Sequence, residues 1–266
     1  MKIAFIGGGN MGEAMLAAVL ARALAQPESI SVSDVSHKRL EYLKKQYSVT
    51  VTPDNPEAIS DKDIIILAVK PQNLAEVMAE LKDNLNPAQL ILSIIAGAKI
   101  STIFLGLSHN AVVRAMPNTP ARVGEGMSVW TATSDVTDQQ KQAAKSILGA
   151  MGRELYVDDE AYLDMATAIS GSGPAYFFLM VEALVDAAME IGLPREMAQE
   201  LVLQTMLGSG KFIRQSGASP AELRRKVTSP GGTTAAALAQ FEKGGFGGLV
   251  RRAVKAAYER AKELGK

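Results

Sequence analysis

Lys2-Ile3-Ala4-Phe5-Ile6-Gly7-Gly8-Gly9-Asn10-Met11-Gly12 decides the fold of this chain. Its apolar half, ending at Ile6, reads as a buried strand. Gly7, Gly9 and Gly12 follow at G-x-G-x-x-G spacing, and the alanine-rich residues 13–26 read as a helix. Strand, glycine turn and helix in that order aim free backbone N–H groups at one point, where a dinucleotide pyrophosphate binds. Gly7 suits the tight turn, Gly9 lets the backbone approach the phosphates, and Gly12 allows close packing of helix on strand. The spacing alone is common. Its place between a strand and a helix is what favours a cofactor over a bare turn.

Outward from this motif, residues 29–33 read as a second strand, closed by Asp34. Asp34 lies roughly 20 residues past the last glycine, where an acidic side chain commonly receives ribose hydroxyls. Asp34 or Ser36 could equally cap the helix expected over 38–47. An aspartate there repels a 2′-phosphate, while Ser33, Ser36, Lys38 and Arg39 would attract one, so the choice between NADH and NADPH stays open. Further strands are expected at 49–52, 63–69, 90–96 and 111–116. Residues 63–69 are nearly all apolar, as in a strand buried on both faces. Three strand ends carry special loops: Val69-Lys70-Pro71, Ala96-Gly97 and Met116-Pro117-Asn118-Thr119-Pro120. Open α/β sheets bind their ligands at those ends. Segments 127–133 and 154–157, around a helix at 138–151, extend the sheet.

Beyond about residue 160, helical periodicity takes over. The expected fold is α/β: an N-terminal Rossmann-type doubly wound parallel sheet over 1–160, then an all-α half over 161–266. Pro174 suits the first turn of a helix reaching Ile191 that is apolar nearly all round. A helix of that kind is buried, and one helical domain this small can hardly cover it. An obligate dimer with intertwined C-terminal halves is therefore expected. Val202, Leu203, Met206 and Leu207 share one face of the next helix, expected to point inward.

Composition removes several classes of function. Hydrophobic residues make up 47%, with 28 basic and 28 acidic residues and no cysteine. Disulfides, thiolate nucleophiles and cysteine-held metals are excluded. A balanced charge argues against nucleic acid as the main partner. No uninterrupted apolar run reaches the ~18 residues of a membrane span, and the N-terminus lacks a secretory pattern. A cytoplasmic protein without a membrane partner is expected. The two histidines, His37 and His109, make a histidine metal site improbable, and both read as solvated loop residues.

A second glycine turn, Val227-Thr228-Ser229-Pro230-Gly231-Gly232-Thr233-Thr234, precedes a helix at 235–243. Its hydroxyls and free N–H groups suit a small anion such as a carboxylate. An ordinary helix start, capped by Ser229 or Thr233, fits the residue types as well. Chemistry bears on the choice. Reducing a ketone calls for an acid at the developing alkoxide, and the histidines are poor candidates. A protonated imine needs only to be held beside a hydride donor.

On the two glycine turns, together with Leu67-Ala68-Val69-Lys70-Pro71-Gln72, Met116-Pro117-Asn118-Thr119-Pro120 and Ser170-Gly171-Ser172-Gly173-Pro174-Ala175-Tyr176, the chain resembles the pyrroline-5-carboxylate reductases over its whole length. The resemblance implies reduction of 1-pyrroline-5-carboxylate to L-proline, the last step of proline biosynthesis, with NADPH or NADH. It implies that Ile6, Gly7, Gly8, Gly9, Asn10, Met11 and Gly12 hold the pyrophosphate. Ser33, Asp34 and Asn55 would meet the adenosine ribose or its phosphate. Leu67, Ala68, Val69, Lys70 and Pro71, with Ala96 and Gly97, would flank the cofactor. Val227, Ser229, Gly231, Gly232, Thr233 and Thr234 would bind the substrate, Ser229 at its carboxylate and Thr234 at the ring nitrogen. These two hydroxyls are the candidate catalytic residues, and no metal is implied. The family also implies a homodimer, in some members five dimers in a decamer, whose substrate loop reaches the neighbouring subunit's cofactor. Asp34 stands where many members carry a residue suited to the 2′-phosphate.

Overall fold

Short apolar runs become an eight-stranded sheet in the computed structural model, which describes residues 1–265. The strands are β1 (Ile3–Ile6), β2 (Ile30–Ser33), β3 (Thr50–Thr52), β4 (Ile64–Leu67), β5 (Leu90–Ser93), β6 (Val112–Met116), β7 (Gly126–Ala132) and β8 (Gly152–Tyr156). Their order is β3-β2-β1-β4-β5-β6-β7-β8. The pairs from β3 to β6 are parallel, β7 runs antiparallel to β6, and β8 is parallel to β7. This is the doubly wound order with β1 beside its switch point, extended by two strands as expected.

Alternation along each strand divides the core between two faces. Ile3 and Phe5 join a cluster with Met15, Leu16, Trp130 and Ile147. Ala4 and Ile6 join another with Leu67, Leu74, Leu81 and Ile103. The first layer contains α1 (Asn10–Ala21) and α6 (Asp138–Ala150), and the second contains α4 (Leu74–Leu81) and α5 (Ile100–Leu107). Two more helices, α2 (His37–Tyr47) and α3 (Asn55–Ile59), complete the wrapping, and α7 (Ala161–Ala166) follows β8.

Several boundaries differ from expectation for identifiable reasons. Helix α1 starts at Asn10 because Gly9 is its N-cap, and it stops at Ala21, short of Ala23 with φ +51°. Strands β4 and β5 end before their apolar runs do, at Leu67 and Ser93, and the remaining residues of each run enter the loops that follow. His109 corrects the solvated reading: it is 5% exposed, and its Nε2 lies 2.6 Å from Gln89 O. A polar neighbourhood in sequence did not mean solvent. His37 is exposed at the start of α2.

The chain divides into two compact units, Met1–Ser172 with the residues from Ala257 onward, and Gly173–Ala256. The second unit is helical: α8 (Gly173–Glu190), α9 (Arg195–Ser216), α10 (Pro220–Lys226), α11 (Thr233–Lys243) and the start of α12 (Phe246–Leu264). Its central helix α8 is not covered. Phe177, Phe178 and Leu179 are 63%, 63% and 65% exposed. On α9, Leu203 and Leu207 are also exposed while Val202 and Met206 are half-buried, so the face expected to point inward is only partly covered within one chain. The helical run Ala161–Glu190 is long and apolar enough to cross a membrane by length and composition alone. An average over the run tolerates the serines, glycines and acids that interrupt it.

Glu13, in the first turn of α1, ties the glycine turn to α2. Arg39 Nε donates to Gly8 O and its guanidinium pairs with Glu13. The phenols of Tyr47 and Tyr42 donate to Glu13 Oε1 at 2.9 and 3.1 Å. Burial works to raise the Glu13 pKa, but the Arg39, Tyr47 and Tyr42 hydrogen bonds outweigh it and hold the carboxyl below its ordinary value. Burial, then the bond to Glu13, pushes Tyr47 up to about 12. A lowered carboxylate pKa stabilises above its unfolded value and loses that contribution as pH falls through the folded one. A raised phenol pKa contributes below its unfolded value, and the contribution is lost as pH rises through about 12. Tyr47→Phe should therefore cost about 1–2 kcal/mol in urea unfolding at neutral pH. The difference from wild type should narrow as acid protonates Glu13, and a gap that stays constant into acid would refute this arrangement.

Candidate active site

The glycine turn closes as its residue types require. Gly7 has φ +100°, and a Cβ there would stand 2.7 Å from Ala68 O. Its N–H donates to Ser33 O at 2.8 Å, and Ala68 N–H donates to Ile6 O at 2.8 Å. A Cβ on Gly12 would stand 2.5 Å from Gly7 O, so the helix lies as close to the turn as backbone permits. Gly9 is different: nothing lies within 4 Å of its Cβ position. No side chain caps α1 at Gly9. The N-terminal amides of a twelve-residue helix are thus presented at an open face, which suits a pyrophosphate.

The loops around this turn come from four parallel strands. β1 ends at Ile6 and leads into Gly7 through Gly12, β2 ends at Ser33 just before Asp34, β4 ends at Leu67 before Ala68 through Pro71, and Ala96-Gly97 lie beyond β5. Parallel pairing brings all of them to one edge of the sheet. Asn55 joins them, since Ser33 Oγ donates to Asn55 Oδ1 at 2.5 Å and Asn55 Nδ2 donates to Glu80 Oε2 at 2.6 Å. The half-buried Asp34 accepts from Gly8 N–H through Oδ2 and from Ser36 N–H through Oδ1, each at 2.9 Å. Ser36, not Asp34, caps α2. Arg39, read from sequence as a residue for a 2′-phosphate, is committed to Gly8 O and Glu13 instead. The negative charge beside the glycine turn is Asp34, and Lys38 is exposed nearby in sequence.

The loop after β6 is joined to the Ser170 motif by a residue whose linking role its sequence did not announce. Asn118 accepts Met127 N–H through Oδ1 at 2.9 Å and donates from Nδ2 to Ser170 O at 3.0 Å. Ser170 lies in one turn of π-helix, Thr167–Gly171, a form that is rare and common at functional sites. No periodicity in a five-residue stretch would reveal it.

In the helical unit, the second glycine turn is not an ordinary capped helix start. Gly231 has φ +69°, and Gly232 is the N-cap of α11 with no side-chain cap. Thr228 Oγ1 is used within the chain, donating to Arg224 O at 2.6 Å. Ser229 is exposed, Thr233 is exposed, and Thr234 is half-buried in the first turn of α11. Val227 is exposed at the end of α10. Uncapped amides flanked by three hydroxyls are arranged as for a small anion. The sequence-named residues thus form two sets, one in each compact unit.

Comparison with known proteins places this arrangement. Residues 160–264 match the family described as pyrroline-5-carboxylate reductase dimerisation. Residues 2–97 match NADP oxidoreductase, coenzyme F420-dependent. The dimerisation match spans α8 and α9, whose apolar faces a single chain leaves exposed. A pyrroline-5-carboxylate reductase of Synechocystis sp. is 46% identical, with 100% of this chain and 99% of that protein covered. One of Pseudomonas aeruginosa is 42% identical, with 99% and 96% covered. Among solved structures, a pyrroline-5-carboxylate reductase from Coxiella burnetii superposes with TM-score 0.92 at 39% identity, covering 100% of this chain and 98% of that one. A Plasmodium falciparum pyrroline carboxylate reductase with NADP bound superposes with TM-score 0.91 at 34% identity, covering 100% and 98%. The chain belongs to the pyrroline-5-carboxylate reductase family.

Proposed function

We infer that this protein reduces 1-pyrroline-5-carboxylate to L-proline with NADPH or NADH, as a cytoplasmic homodimer. The observation that carries the reading is the pair of uncapped glycine turns, one at α1 and one at α11, within a chain 46% identical to a reductase of that name. The α1 turn suits the pyrophosphate of a dinucleotide, and the α11 turn suits a carboxylate. When bound, the reduced nicotinamide supplies a hydride to the imine carbon.

The residues divide the remaining tasks. Ile6 through Gly12 hold the pyrophosphate with backbone amides. Ser33, Asp34 and Asn55 take the adenosine ribose, while Leu67 through Pro71 and Ala96-Gly97 flank the cofactor. Val227 leads the chain into the second turn, where the Ser229 hydroxyl and the amides of Gly231, Gly232 and Thr233 hold the substrate carboxylate. Thr234 Oγ1 hydrogen-bonds the ring nitrogen. Hydride addition to a protonated imine leaves a neutral amine, so no strong acid is required. Positioning is the protein's main contribution. In this reading residues 1–160 form the cofactor domain and 161–266 the dimerisation and substrate domain, with dimers able to assemble five at a time.

Thr234→Ala should lower kcat roughly 100-fold in imine-dependent NAD(P)H oxidation, the scale of a positioned acid–base group. An unchanged kcat would remove Thr234 from the chemistry. Asp34→Ser removes the charge that faces a 2′-phosphate. It should move the ratio of kcat/KM for NADPH over NADH upward by about tenfold, the ~1.4 kcal/mol expected of a like-charge repulsion at a half-exposed position. Equal ratios in the two proteins would clear Asp34 of that role. Sedimentation velocity checks the assembly: a folded monomer at micromolar concentration would overturn the dimer.

A further inference from the structure

The most deeply buried charge of the sheet unit lies away from the glycine turn. Arg114, on β6, is 4% exposed, and a guanidinium so buried requires partners. It has two, Glu160 Oε1 at 2.8 Å and Asp164 Oδ1 at 2.9 Å. The same oxygen of Glu160 accepts another hydrogen bond, from the backbone N–H of Ile100 at 2.8 Å. Ile100 is the first residue of α5, and the preceding Lys99 gives that helix no side-chain cap. A carboxylate distant in sequence therefore does the work of a cap, and Arg114 fixes its position.

This matters because only Ala98 and Lys99 separate Ala96-Gly97 from the start of α5. The loop is anchored to the sheet at β5 and held at its far end by Glu160. The end of α12 lies against it as well: a Cβ on Gly97 would stand 2.7 Å from Leu264 O. Strand order says which half of a dinucleotide this loop serves. β2, with Ser33 and Asp34, lies on one side of β1, whereas β4 and β5 lie on the other. A dinucleotide spanning β1 with its adenosine at β2 therefore brings its nicotinamide half to β5.

We propose that Glu160 is a positioning residue for the nicotinamide half of the dinucleotide, acting through Ile100 N–H on the Ala96-Gly97 loop while Arg114 holds its carboxylate. Glu160 touches neither substrate nor cofactor. Its charge, in the form of the Arg114 pair, keeps the acceptor oxygen aimed at α5. Asp164 gives Arg114 a second partner, so the guanidinium is not stranded if Glu160 is changed. The proposal rests on the reductase reading above.

The test is calorimetric titration of the full-length protein with NADPH, NADH and ADP-ribose, in wild type, Glu160→Gln and Glu160→Ala. Glu160→Gln should weaken binding of the intact dinucleotides roughly fivefold and Glu160→Ala roughly tenfold or more, the range of a lost charge-assisted hydrogen bond. ADP-ribose, which lacks nicotinamide, should bind all three proteins alike. KM for the dinucleotide should rise with its Kd, and KM for the imine should not follow. Dinucleotide binding unchanged in Glu160→Gln, or ADP-ribose weakened equally, overturns the proposal. Hydrogen exchange of wild type adds a measurement free of folding effects: the Ile100 amide should be protected, and rapid exchange there also overturns it. Failure of the reductase reading looks different, since wild type itself would then neither bind dinucleotides nor oxidise them with the imine.

Discussion

The closeness of α1 to the end of β1 is the constraint on which the cofactor half depends. Gly12 lies where any side chain would strike Gly7 O, and Gly7 lies where any side chain would strike Ala68 O. Three backbone segments are thereby packed without side chains between them, and the first amides of α1 are left pointing outward. The same closeness aligns the carboxyl ends of β1, β2 and β4, because Gly7 N–H and Ala68 N–H continue the ladders beyond the strands. Glu13, Arg39 and Tyr47 then secure the outer side of the turn. The turn is closely packed at Gly7 and Gly12 and polar at Ser33, Asp34 and Asn55.

The helical unit answers to a different constraint. Its apolar surface on α8 and α9 stays largely exposed within one chain, at Phe177, Phe178, Leu179 and Leu207 above all. Burial of apolar surface is the main favourable term in folding, and apolar faces left this exposed suit association with another chain. The match to a dimerisation family over residues 160–264 agrees with that account. It also explains why a helix with the composition of a membrane span occurs in a reductase family.

Much of this was legible in the chain. Apolar runs located central strands such as β4 and β5, because strands buried on both faces leave an uninterrupted hydrophobic trace, whereas the edge strands β3 and β8 are less fully buried and leave a weaker one. Glycine spacing located both turns. Long-range polar pairings were not legible. Nothing near His109 indicates burial, nothing near Arg39 indicates Glu13, and nothing near Glu160 indicates Ile100. Asp34 shows the limit most clearly: its position suggested either a ribose ligand or a helix cap, whereas both oxygens accept backbone N–H groups, one of them from the glycine turn itself. The single π turn at Thr167–Gly171 leaves no periodic trace either.

Sequence alone determined the fold class, the cofactor turn, the second glycine turn and the need for a partner surface. Each is a local matter of residue type and spacing, written in the order in which the chain runs. Tertiary structure alone showed that neither Ser229 nor Thr233 caps α11, whose N-cap is Gly232. It also decided where the buried charges go, joining Arg114 to Glu160 across 46 residues and Glu160 to Ile100 across 60. A hydrogen bond depends on distance and direction in space, and separation along the chain carries no record of either.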